Sequence, residues 1–257
     1  DGGAKGERSM MVEQVSGTGR NGPEPLAPAD FTFTELSPAS FLDRAAAAFA
    51  GRTAVIDGAL RLTYADLHRR VGHLTAALEA LGVRPGDRVA ALCANSAVML
   101  ELHSAVPAHG SVLVPLNIRL SEPELVYILE HSGATLLVAT VEFADRARAV
   151  AESVGIRVVV GGSADGADEY ESLLAQAGAP VRRETDERGL LAINYTSGTT
   201  GRPKGVMYHH RGAYLQSVAM AYHSGLGPGS TYLWTLPMFH CDGWCFTWAV
   251  IAAGGTN

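Results

Sequence analysis

An α/β fold, with layered, largely parallel sheets and flanking helices, is the class that this sequence predicts. Three observations predict it. Short apolar runs alternate with longer helical stretches from residue 37 onward. The runs RVAALCA, SVLVPL, ATLLVA and RVVV are nearly continuous in apolar residues, as strands covered on both faces of a parallel sheet must be. Glycine or proline closes most of the units.

Residues 1–36 read as a flexible leader, rich in Gly, Pro and charge and without apolar periodicity. Met10 and Met11 lie inside it, and one of them is the expected natural start. Gly17, Gly19 and Gly22 have the spacing of a dinucleotide loop, but no strand precedes them and Pro23 and Pro25 follow, so that reading is rejected. Ser37 and Pro38 offer a hydroxyl cap and a first-turn proline for a helix that stops at Gly51. TAVIDGALRLTY predicts two strands around an Asp57-Gly58 turn. Thr63 and Asp66 form a capping-box-like start to a helix that ends at Gly82. The strand RVAALCA, the helix SAVMLELHSAVPAHG, the strand SVLVPL, the helix EPELVYILEHSG, the strand ATLLVA, the helix EFADRARAVAESVG and the strand RVVV follow. GGSADGADEYESLLAQAGAP is a looser connection with one short helix. Residues 37–185 are therefore assigned to a first α/β subdomain. GLLAINYT opens a second, 186–257, which continues with GVMY, the helix HHRGAYLQSVAMAYHSG, YLWTLP and an apolar helix through WCFTWAVIAAGG. An α/β layout expects another strand after that helix, so the sequence reads as cut.

Composition narrows the function classes. Of 257 residues, 47% are hydrophobic and 18% charged, and the net charge is −6, which argues against a general nucleic-acid binder. Three cysteines, Cys93, Cys241 and Cys245, form no disulfide framework, so a cytoplasmic location is expected. No uninterrupted apolar run is long enough to span a membrane, and the N-terminus has no apolar signal core.

The stretch YTSGTTGRPKG, Tyr195–Gly205, carries the chemistry. It follows a buried-strand pattern, and α/β folds gather ligands at the carboxyl ends of strands. Gly198, Gly201 and Gly205 allow sharp turns and close approach, Thr196, Ser197, Thr199 and Thr200 supply hydroxyls, and Lys204 supplies a mobile positive charge. Together these suit phosphate oxygens. The Walker loop does not fit, because Pro203 takes the place of its second glycine and Gly205 that of its Ser/Thr. From Arg188 to Cys241 there is no Asp or Glu, while Arg188, Arg202, Lys204 and Arg211 fall in that stretch, a local field that favours a polyanion.

INYTSGTTGRPKGV resembles the signature phosphate loop of the adenylate-forming superfamily, which holds acyl-CoA synthetases, luciferases and peptide-synthetase adenylation domains. LTYADL, VPAHGSVLVPLNIRLSEPELVYILEHSGA and PMFHCDGW resemble further motifs of that superfamily in the same order. The resemblance runs from about Leu36 to Asn257, roughly the first half of a full member. It implies activation of a carboxylic acid, with a fatty acid expected, by ATP: the carboxylate attacks the α-phosphate, pyrophosphate leaves, and a thiol, usually that of CoA, takes the acyl group. Position by position, Thr196, Ser197, Gly198, Thr199, Thr200, Gly201 and Lys204 would hold the β- and γ-phosphates, with Thr199 reaching Mg2+. His240 would stand beside the carboxylate and α-phosphate as the catalytic residue. Trp244 would wall the acyl pocket, against the plain reading of a core aromatic.

The resemblance also implies that a C-terminal domain is absent, and this stretch alone is expected to be inactive. Transfer to a carrier-protein thiol and a non-catalytic nucleotide-binding fragment are the alternatives, and a homodimer is compatible. His209 and His210 are read as structural, capping the helix after the loop, rather than as ligand contacts. His240, Cys241 and Cys245 have no standard zinc spacing, and Cys241 lacks a defined base partner for nucleophilic work.

Overall fold

Strand burial sets the architecture. The computed structural model describes residues 33–163, 168–196 and 201–257. Contacts divide the chain into Asp1–Thr34 and Glu35–Asn257, and every element below lies in the second unit. The leader's glycine motif lies outside the described residues.

Strands β3 (Arg88–Leu92), β4 (Val112–Pro115), β5 (Ala134–Thr140), β6 (Arg157–Gly161), β7 (Leu190–Thr196) and β8 (Lys204–His209) form one sheet in the order β6-β5-β3-β4-β7-β8. The first five run parallel and β8 returns antiparallel along β7. Alternation divides each central strand between two cores. Val89, Ala91 and Cys93 join Leu113, Leu136, Val138 and Val159 on the face covered by α2 (Tyr64–Ala80), α3 (Ala97–His109) and α6 (Glu169–Gln176). Ala90, Leu92, Val114, Leu137 and Ala139 face α4 (Glu122–Ser132) and α5 (Ala144–Val154). The predicted α/β layering is the observed one. β7 and β8, which follow residue 186, extend the sheet begun by β3 to β6.

Helix starts follow local chemistry. Thr63 Oγ1 accepts from Asp66 N at 3.1 Å and Asp66 Oδ2 accepts from Thr63 N at 3.1 Å, the capping box expected from the sequence. β1 (Thr53–Asp57) and β2 (Leu60–Thr63) form the expected hairpin at Asp57-Gly58. Backbone of the last residues lies along β1: Ile56 N donates to Asn257 O and Asn257 N to Ala54 O, both at 2.8 Å.

One local expectation is refined and another corrected. Helix α1 (Ala39–Phe49) has Pro38 as its flanking residue, and the Ser37 hydroxyl accepts from Ala39 N at 3.3 Å, as a capping hydroxyl does, while also meeting His210 Nδ1 at 2.8 Å. It ends before Gly51, through a right-handed Ala50. The helix expected through WCF begins only at Phe246 (α8, Phe246–Ala252), because Cys241–Cys245 form a left-handed turn. YLWTLP forms no named strand: Thr231, just before it, bridges Thr256, and Tyr232 N donates to Thr256 O at 2.8 Å.

Helix α3 is buried on every side, polar residues included. Its Glu101 carboxylate accepts from Arg70 Nε at 2.5 Å and from Tyr170 Oη at 2.5 Å, and Arg70 also forks onto Glu171 at 2.6 and 2.8 Å. Burial pushes the Glu101 carboxyl up from its ordinary range, and Arg70 and Tyr170 only partly oppose this. Among the described residues no helix is long and apolar enough to cross a membrane.

Candidate functional site

The site grows from the β7–β8 hairpin. Thr196 and Lys204 are cross-strand partners, so the two ends of the glycine-rich loop are fixed against each other. Gly205 sits where a side chain would not fit: a Cβ there would lie 2.8 Å from Ile193 Cγ2 and 3.3 Å from the Tyr195 ring. Tyr195 Oη meets His131 Nδ1 at 2.8 Å, and the Arg202 guanidinium lies 5.6 Å from the Tyr127 ring centroid. Lys204 is exposed, and among the described residues no acid pairs with it. Gly201 has φ +103°. Ser197, Gly198, Thr199 and Thr200 lie outside the described residues, so the phosphate contacts and the Mg2+ role expected of them are not part of this geometry.

Lys204 and Tyr208 are four residues apart and so share one side of β8. Tyr208 leads to a cavity of about 400 Å³ between β8, α7 (His210–His223) and the left-handed turn, with Met207, Gln216, Cys241 and Trp244 in its wall. Trp244 is 53% exposed, so it is a wall rather than a core aromatic. His240 stands exposed just before the turn, its Nδ1 3.6 Å from Cys241 Sγ. The structure therefore brings His240 and Trp244 to one turn, beside the strand that starts at Lys204. Burial pushes the Cys245 thiol up to about 12, with the Asp242 charge adding to it. Among the described residues no group of three His, Cys, Asp or Glu side chains could hold a metal ion.

The turn itself is strained. Cys241, Asp242, Gly243, Trp244 and Cys245 have φ of 51°, 50°, 59°, 56° and 62°. For each of the four non-glycine residues this region costs about 1–2 kcal/mol, and such strain persists only where the surroundings impose it. The surroundings are visible. Asn194 Nδ2 donates to Asp242 Oδ2 at 2.7 Å, Thr247 Oγ1 donates to Asp242 O at 3.1 Å, and Gly243 lies under Trp234, whose ring would be 2.6 Å from an added Cβ. Asn95 fixes the approach by donating to Leu236 O at 2.9 Å and accepting from Met238 N at 2.8 Å. Sequence reasoning does not single out Asn95, Asn194, His103 or Asp242. Asp242 faces into the core, at 0% exposure. Buried amides and imidazoles on apolar elements were the available signal.

His209 closes β8 and His210 opens α7, and both make local structural contacts, His209 also lining the cavity. His209 Nδ1 accepts from Gly212 N at 3.0 Å and caps α7. His210 is buried against Ser37, and burial lowers its pKa to about 4. A folded value below the unfolded one means that stability is complete above about pH 6.5 and falls as pH drops toward 4. Wild type should therefore lose about 2 kcal/mol more than a His210→Gln variant between pH 7 and pH 5, measured by urea unfolding at both.

Comparison with known proteins gives a consistent picture. The family described as AMP-binding enzyme matches residues 42–257. The chain is 38% identical over 256 residues to acetate/butyrate–CoA ligase AAE7, peroxisomal, of Arabidopsis thaliana, covering 91% of this chain and 45% of that protein. It is 36% identical to acetate–CoA ligase CCL3 of Humulus lupulus, over 88% of this chain and 44% of that one. Among solved structures it is similar to ATP-bound MatB from Rhodopseudomonas palustris, with a TM-score of 0.73, 30% identity and coverage of 85% and 44%. It is also similar to a long-chain-fatty-acid-CoA ligase (FadD1) from Archaeoglobus fulgidus, with a TM-score of 0.77, 26% identity and coverage of 88% and 47%. The chain thus spans about half the length of the curated relatives it matches.

Proposed function

This chain belongs to the AMP-binding enzyme family, and on that footing we propose that it forms the nucleotide- and acid-gripping half of an enzyme that adenylates a carboxylic acid with ATP and passes the acyl group to CoA. One observation carries the reading. The strand that starts at Lys204, exposed and without an acidic partner among the described residues, leads along one side to Tyr208 and an open cavity walled by Trp244. In this reading a cation for a departing pyrophosphate starts β8 and a pocket for an acid lies beside its far end, and that arrangement supports the proposal.

The chemistry follows from charge. A carboxylate becomes a good acyl donor only as a mixed anhydride, and forming one from ATP releases pyrophosphate. Preorganised donors and a cation aimed at that leaving group supply most of the catalysis in such transfers. In this reading Lys204 neutralises the leaving phosphates, Thr196 through Gly201 cradle them, and Thr199 helps hold Mg2+. His240 contacts the reacting carboxylate and α-phosphate, while Trp244 bounds the acyl group. The division into subdomains 37–185 and 186–257 stays part of the proposal.

The acid is proposed to be short, or an aryl acid, rather than a long-chain fatty acid. The cavity is of modest size, and curated relatives are named for acetate, butyrate, trans-cinnamate and benzoate. The 257-residue stretch alone is proposed to be inactive, since the relatives it matches are about twice its length. ATP–pyrophosphate exchange with the full-length protein and a panel of acetate, butyrate, octanoate, benzoate and cinnamate tests the reading. Exchange that depends on a short or aryl acid is expected, followed by loss of free CoA thiol. No exchange with any acid overturns the adenylation reading, and exchange without CoA consumption moves the acceptor to a carrier-protein thiol.

A further inference from the structure

Among the described residues, four buried side-chain polar atoms lack a hydrogen-bond partner: His103 Nε2, Asn194 Oδ1, Asp242 Oδ1 and Arg183 Nε. Three of the four meet at one place. Asp242 sits in the middle of the strained turn, Asn194 is on β7 two residues before Thr196, and His103 is on the fully buried α3. Asn194 Nδ2 donates to Asp242 Oδ2 at 2.7 Å. His103 Nε2 lies 3.4 Å from Asp242 Oδ1, with both side chains at 0% exposure.

The other ring nitrogen of His103 decides the proton count. Its Nδ1 is 2.8 Å from Met99 O, a carbonyl that can only accept. A proton on Nδ1 alone would leave Nε2 bare against a carboxylate oxygen, and a proton on Nε2 alone would leave Nδ1 bare against a carbonyl. A ring with both protons satisfies the two neighbours and pairs the one charge that the Asp242 carboxylate brings into the core; the other arrangement that satisfies them puts the proton on Asp242 Oδ1 beside a ring protonated at Nδ1 alone. Trp248 fixes the ring from the side, edge-on at 5.5 Å, and its Nε1 donates to His103 O at 2.8 Å. Among the described residues, Tyr208 of β8 and Cys245 of the turn interact with Asp242, and each is neutral when protonated.

We propose that Asp242 is a positioning residue: its buried carboxylate, clasped by Asn194 on one side and by a doubly protonated His103 on the other, locks the left-handed turn that presents His240 and Trp244 beside the strand leading to the phosphate loop. The catalytic consequence rests on the adenylation reading above; the clasp itself does not. Removing the carboxylate's charge frees a turn whose φ angles are unfavourable without it, so His240 moves while the nucleotide grip stays.

Two measurements test this separately. Histidine side-chain 15N spectra of the 257-residue chain should give imidazolium shifts for His103 at pH 7 in wild type and neutral-ring shifts in Asp242→Asn, with the amide signals of residues 241–245 displaced. In the full-length protein, Asp242→Asn should lower kcat for ATP–pyrophosphate exchange about 10–100-fold with KM for ATP little changed. His103→Leu should fall likewise, while His103→Gln, whose amide can still donate to Asp242 Oδ1, should retain more activity than His103→Leu. A singly protonated His103 in wild type overturns the clasp. An unchanged kcat in Asp242→Asn, with wild type active, overturns the positioning role. Absence of exchange in wild type overturns the adenylation reading alone, and the 15N spectra still decide the clasp.

Discussion

Replacing Arg70 with methionine is expected to destabilise the fold by about 3–5 kcal/mol, because it strands a buried carboxylate. Glu101 is fully buried, and among the described residues its oxygens are served by Arg70 and Tyr170. Without the guanidinium, only the Tyr170 hydroxyl remains. The sign of the pH dependence is a second check. Burial already holds the folded Glu101 pKa above its unfolded value, and losing Arg70 raises it further. The penalty is then absent below the unfolded value and grows as pH rises through the folded one. The gap between variant and wild type should therefore narrow from pH 8 to pH 5 in urea unfolding. Replacing Arg70 and Glu101 by methionine and Tyr170 by phenylalanine should recover most of the loss, since no charge is then left buried. A loss below about 1 kcal/mol in the single variant would mean that water reaches Glu101.

Lys204→Ala is expected to lower ATP–pyrophosphate exchange about 10²–10³-fold in the full-length protein while the melting temperature and KM for the acid hold. The melting temperature should hold because Lys204 is exposed and has no acidic partner among the described residues. KM for the acid should hold because Lys204 is absent from the cavity wall. Lys204→Arg should restore only part of the rate, since a planar fork does not replace a compact ammonium. A parallel loss of acid affinity would place Lys204 in the acid pocket instead.

How much of this was legible depended on how local the cause was. β3, β4 and β5 were legible because both their faces are buried, which leaves a continuous apolar run in the chain. The capping box of α2 was legible because Thr63 and Asp66 are three residues apart. The glycine-rich loop stands out in the sequence because its glycines, hydroxyls and lysine lie side by side, and its phosphate-binding role is a proposal. The left-handed turn was not, because what imposes it lies far off: Asn194 is 48 residues before Asp242. From sequence, WCF continues the apolar pattern of FTWAVIA, and a helix is the natural reading. Ser37 makes the same point. Its hydroxyl meets His210, 173 residues away, as well as Ala39 N at the start of its own helix, and only the second contact is local.

The backbone pairing of β1 with Asn257 has a consequence for how this polypeptide is made. Asn257 Nδ2 also donates to Ala54 O, across 203 positions of chain. At roughly 5–20 residues per second, a ribosome needs about 10–40 s to deliver the partner after the hairpin has emerged. Through that interval the hairpin has an open edge, with Ile56 and Leu60 on its outer side. The nascent chain is thus a natural client for a holding chaperone, and slowing synthesis after residue 60 should lower the soluble yield.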